Sequence, residues 1–458
     1  MFPSFLTAQD ASTFAYSKTT ENMKLKNRIA ILLLSLIFFT ANAQTSELKM
    51  SLDEVLKKAL ENHIQLKLSK ENIQIAKQQT RIVELQKLPT ISASANAFYL
   101  GDALILDKDF SKVATLSMPH FGNTYGIQSS ELIFKGGIVQ KSIEISELKE
   151  QLAELDLEKD QQNIKFLVTS NYLDIYKIIN QKNVFLNNQK LATQRLENVK
   201  KFFKQGMVTR NEIIRGELLL KNLQQAILVL DNNRASINYQ LTTAIGISPD
   251  VLIEPNDSFS DIADVQNLKY YLNLAHQNQP ILKSAQTGIK MAGKNIEIIR
   301  TDRMPTISAF GGYNMSRPVT ASVPSMDLYT NSWQTGLSVS YSIDNLYKTR
   351  EKVQLGKFQL DQAKAVLGLQ LQQIDVQTNA AYLKWQEAVK QAELYKESEA
   401  LANENYKIVE SKYLNQLALL ADMTDATNAK LEAELLFATS EINVRYQYYN
   451  LLKTTGTL

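Results

Sequence analysis

Pro89-Thr90-Ile91-Ser92-Ala93 recurs letter for letter as Pro305-Thr306-Ile307-Ser308-Ala309, an offset of 216. Upstream at the same offset, Leu52, Ala59, Asn62 and Ala76 fall on Leu268, Ala275, Asn278 and Ala292. Downstream the offset is 210: Gly126 falls on Gly336, Tyr172-Leu173 on Tyr382-Leu383, Phe203 on Tyr413 and Gly246 on Gly456. An offset held this long marks an internal duplication. The change of offset lies between Ala93 and Gly126, where a loop absorbs the difference. The chain divides into residues 1–43, a first repeat at 44–250, a linker at 251–267 marked by Pro255, Asn256 and Asp257, and a second repeat at 268–458.

Each repeat reads as helix, strand, loop, strand and two long helices. Pro89 and Pro305 stop the first helices, expected over Ser51 to Gln86 and Leu268 to Asp302. The clearest strand is Ser332 to Ile343. Trp333, Thr335, Leu337, Val339, Tyr341 and Ile343 point one way, and small polar residues point the other. Tyr125 to Phe134, Ile91 to Tyr99 and Ile307 to Met315 complete a set of four transmembrane strands. No proline falls between His120 and Ser248, or after Ser325. Proline inside a helix costs about 3 kcal/mol, so these tracts favour long helices. Leu223, Ile227, Leu230, Arg234, Ile237, Leu241 and Ala244 keep a coiled-coil rhythm broken only by the arginine. A helix from Gly137 to Gln205 would extend about 100 Å and must lie along others of similar length.

Met23 reads as the true start, with the basic stretch Met23 to Arg28, the apolar run Ile29 to Phe39 and small residues Ala41-Asn42-Ala43 behind it. This is a secretory signal peptide with cleavage after Ala43. The run is too short for a spanning helix, which needs about 20 apolar residues. A mature chain that enters a membrane must then do so as a β-barrel. Four strands cannot close one, since about eight is the smallest size, so the chain must oligomerise. The expected fold is mainly α: a long antiparallel coiled-coil α-barrel plus four strands per chain that complete a barrel only in an oligomer.

The chain has no cysteine, which removes disulfides and thiolate metal sites. A formal net charge of +3 and no basic stripe argue against nucleic acid. His63, His120 and His276 are too far apart to predict a metal site, and Asp102, Asp107 and Asp109 read as solvated loop. No nucleophile–base pair or phosphate loop appears, so neither an enzyme nor a cofactor is expected. A secreted coiled-coil scaffold or adhesin is the alternative; it would need the helices but neither the amphipathic strands nor the duplication.

The order of elements, the duplication and the P-T-I-S-A entry to each outer strand resemble the TolC-type outer-membrane efflux protein family, over essentially all of residues 47–458. The resemblance implies a passive outer-membrane exit duct of a tripartite efflux or type I secretion system, exporting small molecules or proteins. It implies a homotrimer with a twelve-stranded barrel in outer-membrane lipid and a helical barrel in the periplasm. Its partners would be a periplasmic adaptor (membrane fusion) protein and an inner-membrane pump of RND or ABC type. The adaptor-docking tips map to Gly206 and Met207 in the first repeat and to Asn415, Gln416 and Leu417 in the second, where Asn415 is expected to take the left-handed turn in place of glycine. Asp422 and Asp425 fall in a segment similar to the family's D-x-x-D-A-T, which narrows the periplasmic entrance. Three apart, they share a helix face. Glu212 and Arg215 occupy the equivalent positions of the first repeat and are the candidate gate partners. Trp333 is expected as a membrane-interface anchor.

Overall fold

A computed structural model describes residues 47–257, 266–322 and 324–458. The signal peptide lies outside the described residues, as does the middle of the linker. The elements, in order, are β1 (Glu47–Met50), α1 (Leu52–Asn62), α2 (Ile64–Glu84), β2 (Thr90–Tyr99), β3 (Ala103–Leu106), β4 (Lys112–Leu116), β5 (Phe121–Phe134), α3 (Ile138–Lys204) and α4 (Arg210–Ile245). Then follow β6 (Leu252–Pro255), α5 (Leu268–Asn278), α6 (Pro280–Thr301), β7 (Thr306–Arg317), β8 (Thr330–Ser340), α7 (Asn345–Leu414) and α8 (Leu420–Thr455). The duplication reaches the element bounds: α1 and α5 have 11 residues each, α4 and α8 have 36 each. No helix among the described residues is long and apolar enough to cross a membrane.

Two expected helices are each broken in two. The first breaks at His63 (ψ 127) and the second at Gln279 (ψ 118), both extended. Pro280 explains the second break, because the residue before proline is driven out of the α region. The first has no proline; there the His63 imidazole caps α2 by accepting from the Gln65 N–H at 3.1 Å. Each break sits against the end of a long helix. The Asn62 amide donates to the Ile245 carbonyl at 3.1 Å, beside Gly246 (φ +72). At the matching place, a Cβ on Gly456 (φ +74) would stand 2.9 Å from the Asn278 backbone. The Asn and Gly letters shared by the two repeats therefore meet in space.

The linker carries structure of its own. β6 pairs in parallel with β1, Glu47 opposite Leu252 through Met50 opposite Pro255. Asn238 of α4 holds β6 at both sides, donating to the Val251 carbonyl and accepting from the Ile253 N–H, each at 2.8 Å. The Tyr172 hydroxyl lies 2.8 Å from the Met50 carbonyl and 2.7 Å from the Asp257 carboxylate, which also accepts from the Leu52 N–H. Burial, then the neighbouring Asp257 carboxylate, raises the Tyr172 pKa. Val55, Ala59, Val168, Ile175, Leu241 and Ile245 pack around this clasp as the main apolar core.

The four long strands form one antiparallel sheet in the order β2-β5-β7-β8, leaving β2 and β8 as open edges. Residues directly opposite share a face. Ala93, Ile127, Tyr313 and Trp333 make one row, and Leu337 and Val339 continue their face. On the other face, Ser92, Gln128, Gly312 and Gln334 make a row, followed by Ser94, Gly126, Asn314 and Ser332. The first outer loop is not plain coil but contains the β3–β4 hairpin. Its aspartates hold it together: Asp102 accepts from the Met118 N–H, and Asp109 from the Ser111 N–H and hydroxyl.

The helices pack side by side in the same order as the strands. Next to the sheet the order is α2-α3-α6-α7; at the far end it is α4-α3-α8-α7. The outermost helices carry apolar stripes that no described residue covers. On α2 these are Ile64, Leu68, Ile75 and Ile82; on α7, Leu369, Val376 and Leu383, then Leu394, Leu401 and Ile408. Steps of seven are the coiled-coil spacing.

Candidate functional site

Farthest from the sheet, the α3–α4 and α7–α8 hairpins turn at 205–209 and 415–419. Both turns close with the same six-to-one bond. The Met207 N–H donates to the Phe202 carbonyl at 2.9 Å, and the Leu417 N–H to the Lys412 carbonyl at 2.8 Å. Such a closure requires one left-handed residue. Gly206 supplies it in the first tip (φ 73). In the second, Gln416 takes it (φ 60), while Asn415 stays at φ −92. The expectation for Asn415 is thus corrected: the left-handed place is fixed by the 210 offset from Gly206, one residue on. The Asn415 amide instead donates to the Ser411 carbonyl at 2.8 Å. Met207, Leu417 and Leu419 are exposed.

Beyond the second turn, Asp422 stands in the first turn of α8 and its carboxylate accepts from the Leu419 N–H at 2.9 Å. Leucine has no acceptor, so this is one arm of a capping box only. Asp425 is one turn on, without an ion pair among the described residues. Both acids are exposed, while Met423 and Ala426, the residue after each, are buried. Helix geometry thus directs the two carboxylates away from the body of the chain.

Within one chain, no ion pair joins Glu212 or Arg215 to these acids. Glu212 accepts instead from the Tyr413 hydroxyl at 2.9 Å, tying α4 to α7 across the two repeats. Burial first, then that carboxylate, pushes the Tyr413 pKa up to about 12. Arg215 is exposed and forms no ion pair among the described residues.

Above the tips lies a cluster that the sequence analysis missed. Arg195 of α3 donates to the Thr427 hydroxyl at 2.8 Å and the Tyr406 hydroxyl at 2.7 Å. Tyr406 in turn donates to Glu410 at 2.7 Å. Lys430, 8% exposed, pairs with Glu434 at 2.9 Å and lies 5.0 Å from the Tyr406 ring centre. Asn188 donates to the other Glu434 oxygen at 2.7 Å. Only Arg195, a charge beside the buried Leu196 and Val199 of the same helix, offers a sequence signal.

Trp333 is 77% exposed on the apolar face of the open edge strand β8. The histidines stand apart: His63 at a helix cap, His120 stacked on Tyr99, and His276 2.6 Å from Asp375.

Residues 271–457 match the family model described as outer membrane efflux protein. The chain is 22% identical over 439 residues to the outer membrane efflux protein BepC of Brucella suis biovar 1 (strain 1330), covering 94% of this chain and 90% of that protein. Among solved structures, the Campylobacter jejuni CmeC outer membrane channel superposes with a TM-score of 0.70 at 17% identity, covering 89% of this chain and 85% of CmeC. The outer membrane protein VceC of Vibrio cholerae superposes with a TM-score of 0.72 at 12% identity, covering 88% and 96%.

Proposed function

We propose that the chain is the passive exit duct of a tripartite export system, a reading supported by the match of residues 271–457 to the outer membrane efflux protein model and by the fold shared with the CmeC channel. The observation that carries this is the agreement of its edges. The open strand β2 continues the stripe-bearing α2, and the open strand β8 runs into the stripe-bearing α7. One rotation that pairs β8 with the next copy's β2 also brings α7 onto that copy's α2. Farther down, α7 meets α4, whose Ile214, Leu218 and Leu228 are exposed. Such a head-to-tail contact closes into a ring. Three copies give twelve strands. The apolar face, with Trp333 as its interface anchor, turns to lipid, and the polar face to water. A coiled-coil scaffold has no use for such a sheet.

The helical end then projects into the periplasm. Gly206, Met207, Asn415, Gln416 and Leu417 stand at its tips, where an adaptor fed by an inner-membrane pump docks. Three copies of Asp422 and Asp425 place six carboxylates around the entrance, which concentrates cations and repels anions. The Tyr413–Glu212 and Arg195–Thr427 bonds hold the α7–α8 hairpin against the first repeat, and opening the entrance breaks them.

Planar bilayers test this reading. The purified mature chain should run as a trimer and give discrete conductance steps, and Asp422→Ala with Asp425→Ala should raise the conductance and weaken block by multivalent cations. A monomer without conductance overturns the duct. Unchanged conductance and block in the double variant would return the two acids to ordinary helix surface.

A further inference from the structure

The polar face of the four-stranded sheet is mostly amide, hydroxyl and glycine, yet it carries two aromatic rings. By register, Phe98 of β2 and Phe310 of β7 are the aromatic residues that the four strands place on it. Each stands directly opposite a glycine, Phe98 opposite Gly122 and Phe310 opposite Gly336. Glycine inside a strand lets another group approach the backbone closely, and here that group is the ring. A Cβ on Gly122 would collide with the Phe98 ring, and one on Gly336 would stand 3.2 Å from Cζ of Phe310. Each ring therefore leans across the neighbouring strand, with glycine beneath it. Phe98 keeps 38% of its surface exposed. Phe310 borders, with Gln128, Asn314 and Gln334, a concave surface of about 530 Å³ on the sheet. The rings are not by-products of the duplication: at the offset of 216, Phe98 falls on Asn314, and Phe310 on Ser94.

We propose that the inner wall of the barrel carries stacking platforms for planar aromatic cargo, cationic molecules above all, with Phe310 at the helical end and Phe98 toward the outer mouth. An aromatic face attracts a flat ring by stacking and a cation through its quadrupole. Beside Phe310, the amides of Gln128, Asn314 and Gln334 are at hand for the polar substituents of the same molecule. Eight residues of β5 separate the two rows, Gly122 to Ser130, which is about 27 Å at 3.4 Å per residue. Closing three sheets into a ring turns each platform into a belt of three. Such contacts are strong enough to receive a molecule and weak enough to release it, as conduction requires. The inference rests on the duct reading above.

The test is block of the KCl current through the purified mature trimer in a planar bilayer by two monovalent cations. N-methylquinolinium is flat and aromatic, tetraethylammonium is neither, and acids at the entrance act on both alike. The wild type should be blocked by N-methylquinolinium at a roughly fivefold lower concentration. Phe98→Leu with Phe310→Leu keeps apolar bulk but removes both ring faces, and should bring the two blocking concentrations together. Phe98→Tyr with Phe310→Tyr should keep them apart. Equal block in the wild type, or a preference that survives the leucine pair, overturns the proposal, as does its loss in the tyrosine pair. If the leucine pair forms no channels, Phe310→Leu alone should still reduce the preference, and an unreduced one overturns the proposal. Absence of any conductance in the wild type would instead strike the duct reading itself.

Discussion

At the scale of single residues, the two hairpin tips are a matched experiment. The backbone asks for the same left-handed residue in both, and one repeat answers with Gly206, the other with Gln416. A side chain in that region is penalised by contact of Cβ with the following carbonyl, about 1 kcal/mol. Gln416→Gly should therefore stabilise the second tip by about 1 kcal/mol, and Gly206→Ala should cost the first a similar amount. Hydrogen exchange of the tip amides, compared across the two variants, reads this directly; equal protection in all three proteins would refute it. The turn positions were legible in the sequence through the repeat offset. Which residue takes the positive φ was not, because asparagine's intrinsic preference for that region is weaker than the register of the closing bond. The acids Asp422 and Asp425 were legible by similarity alone. Their outward direction came from the buried Met423 and Ala426, one next to each of them.

At the scale of elements, the long helices and four strands were readable because period 2 and heptad spacing are local properties. The breaks at His63 and Gln279 were not, since each depends on where the end of a distant helix lands. The polar cluster around Arg195 escaped for the same reason: its members come from three helices and its logic is spatial. The break at His63 has a pH signature. Burial lowers the His63 pKa below 6.5, and its neutral ring is the acceptor that caps α2. The unfolded chain thus binds the proton first as pH falls. The stabilisation is complete above the unfolded value of 6.5 and is lost as pH drops through the lower folded value. Thermal unfolding should show a downward step in midpoint between about pH 7 and 5 that His63→Asn, which keeps an acceptor at the cap, removes. A step that persists in His63→Asn would place the proton elsewhere.

At the scale of the whole molecule, stability and assembly are the same question. A single chain leaves Ile75 65% and Val376 69% exposed on its two outermost helices. Val376→Asp would put a charge into the seam between copies, where burying it without a partner costs several kcal/mol. It should abolish the heat-modifiable trimer on gels while sparing far-ultraviolet helicity, and Ile75→Asp should do the same from the other side of the seam. Trimers that survive both changes would mean that the stripes do not meet. One feature sets a schedule for reaching that state. Among the described residues, the strand Glu47–Met50 pairs only with Leu252–Pro255. That strand precedes the rest of the first repeat in the chain and must therefore wait, unpartnered, until the whole repeat has followed it. Contacts so distant in sequence form late. The clasp of Tyr172 on Met50 and Asp257 is then a completion signal in time: no subunit has a finished outer edge to offer a neighbour until its first half has been delivered entire.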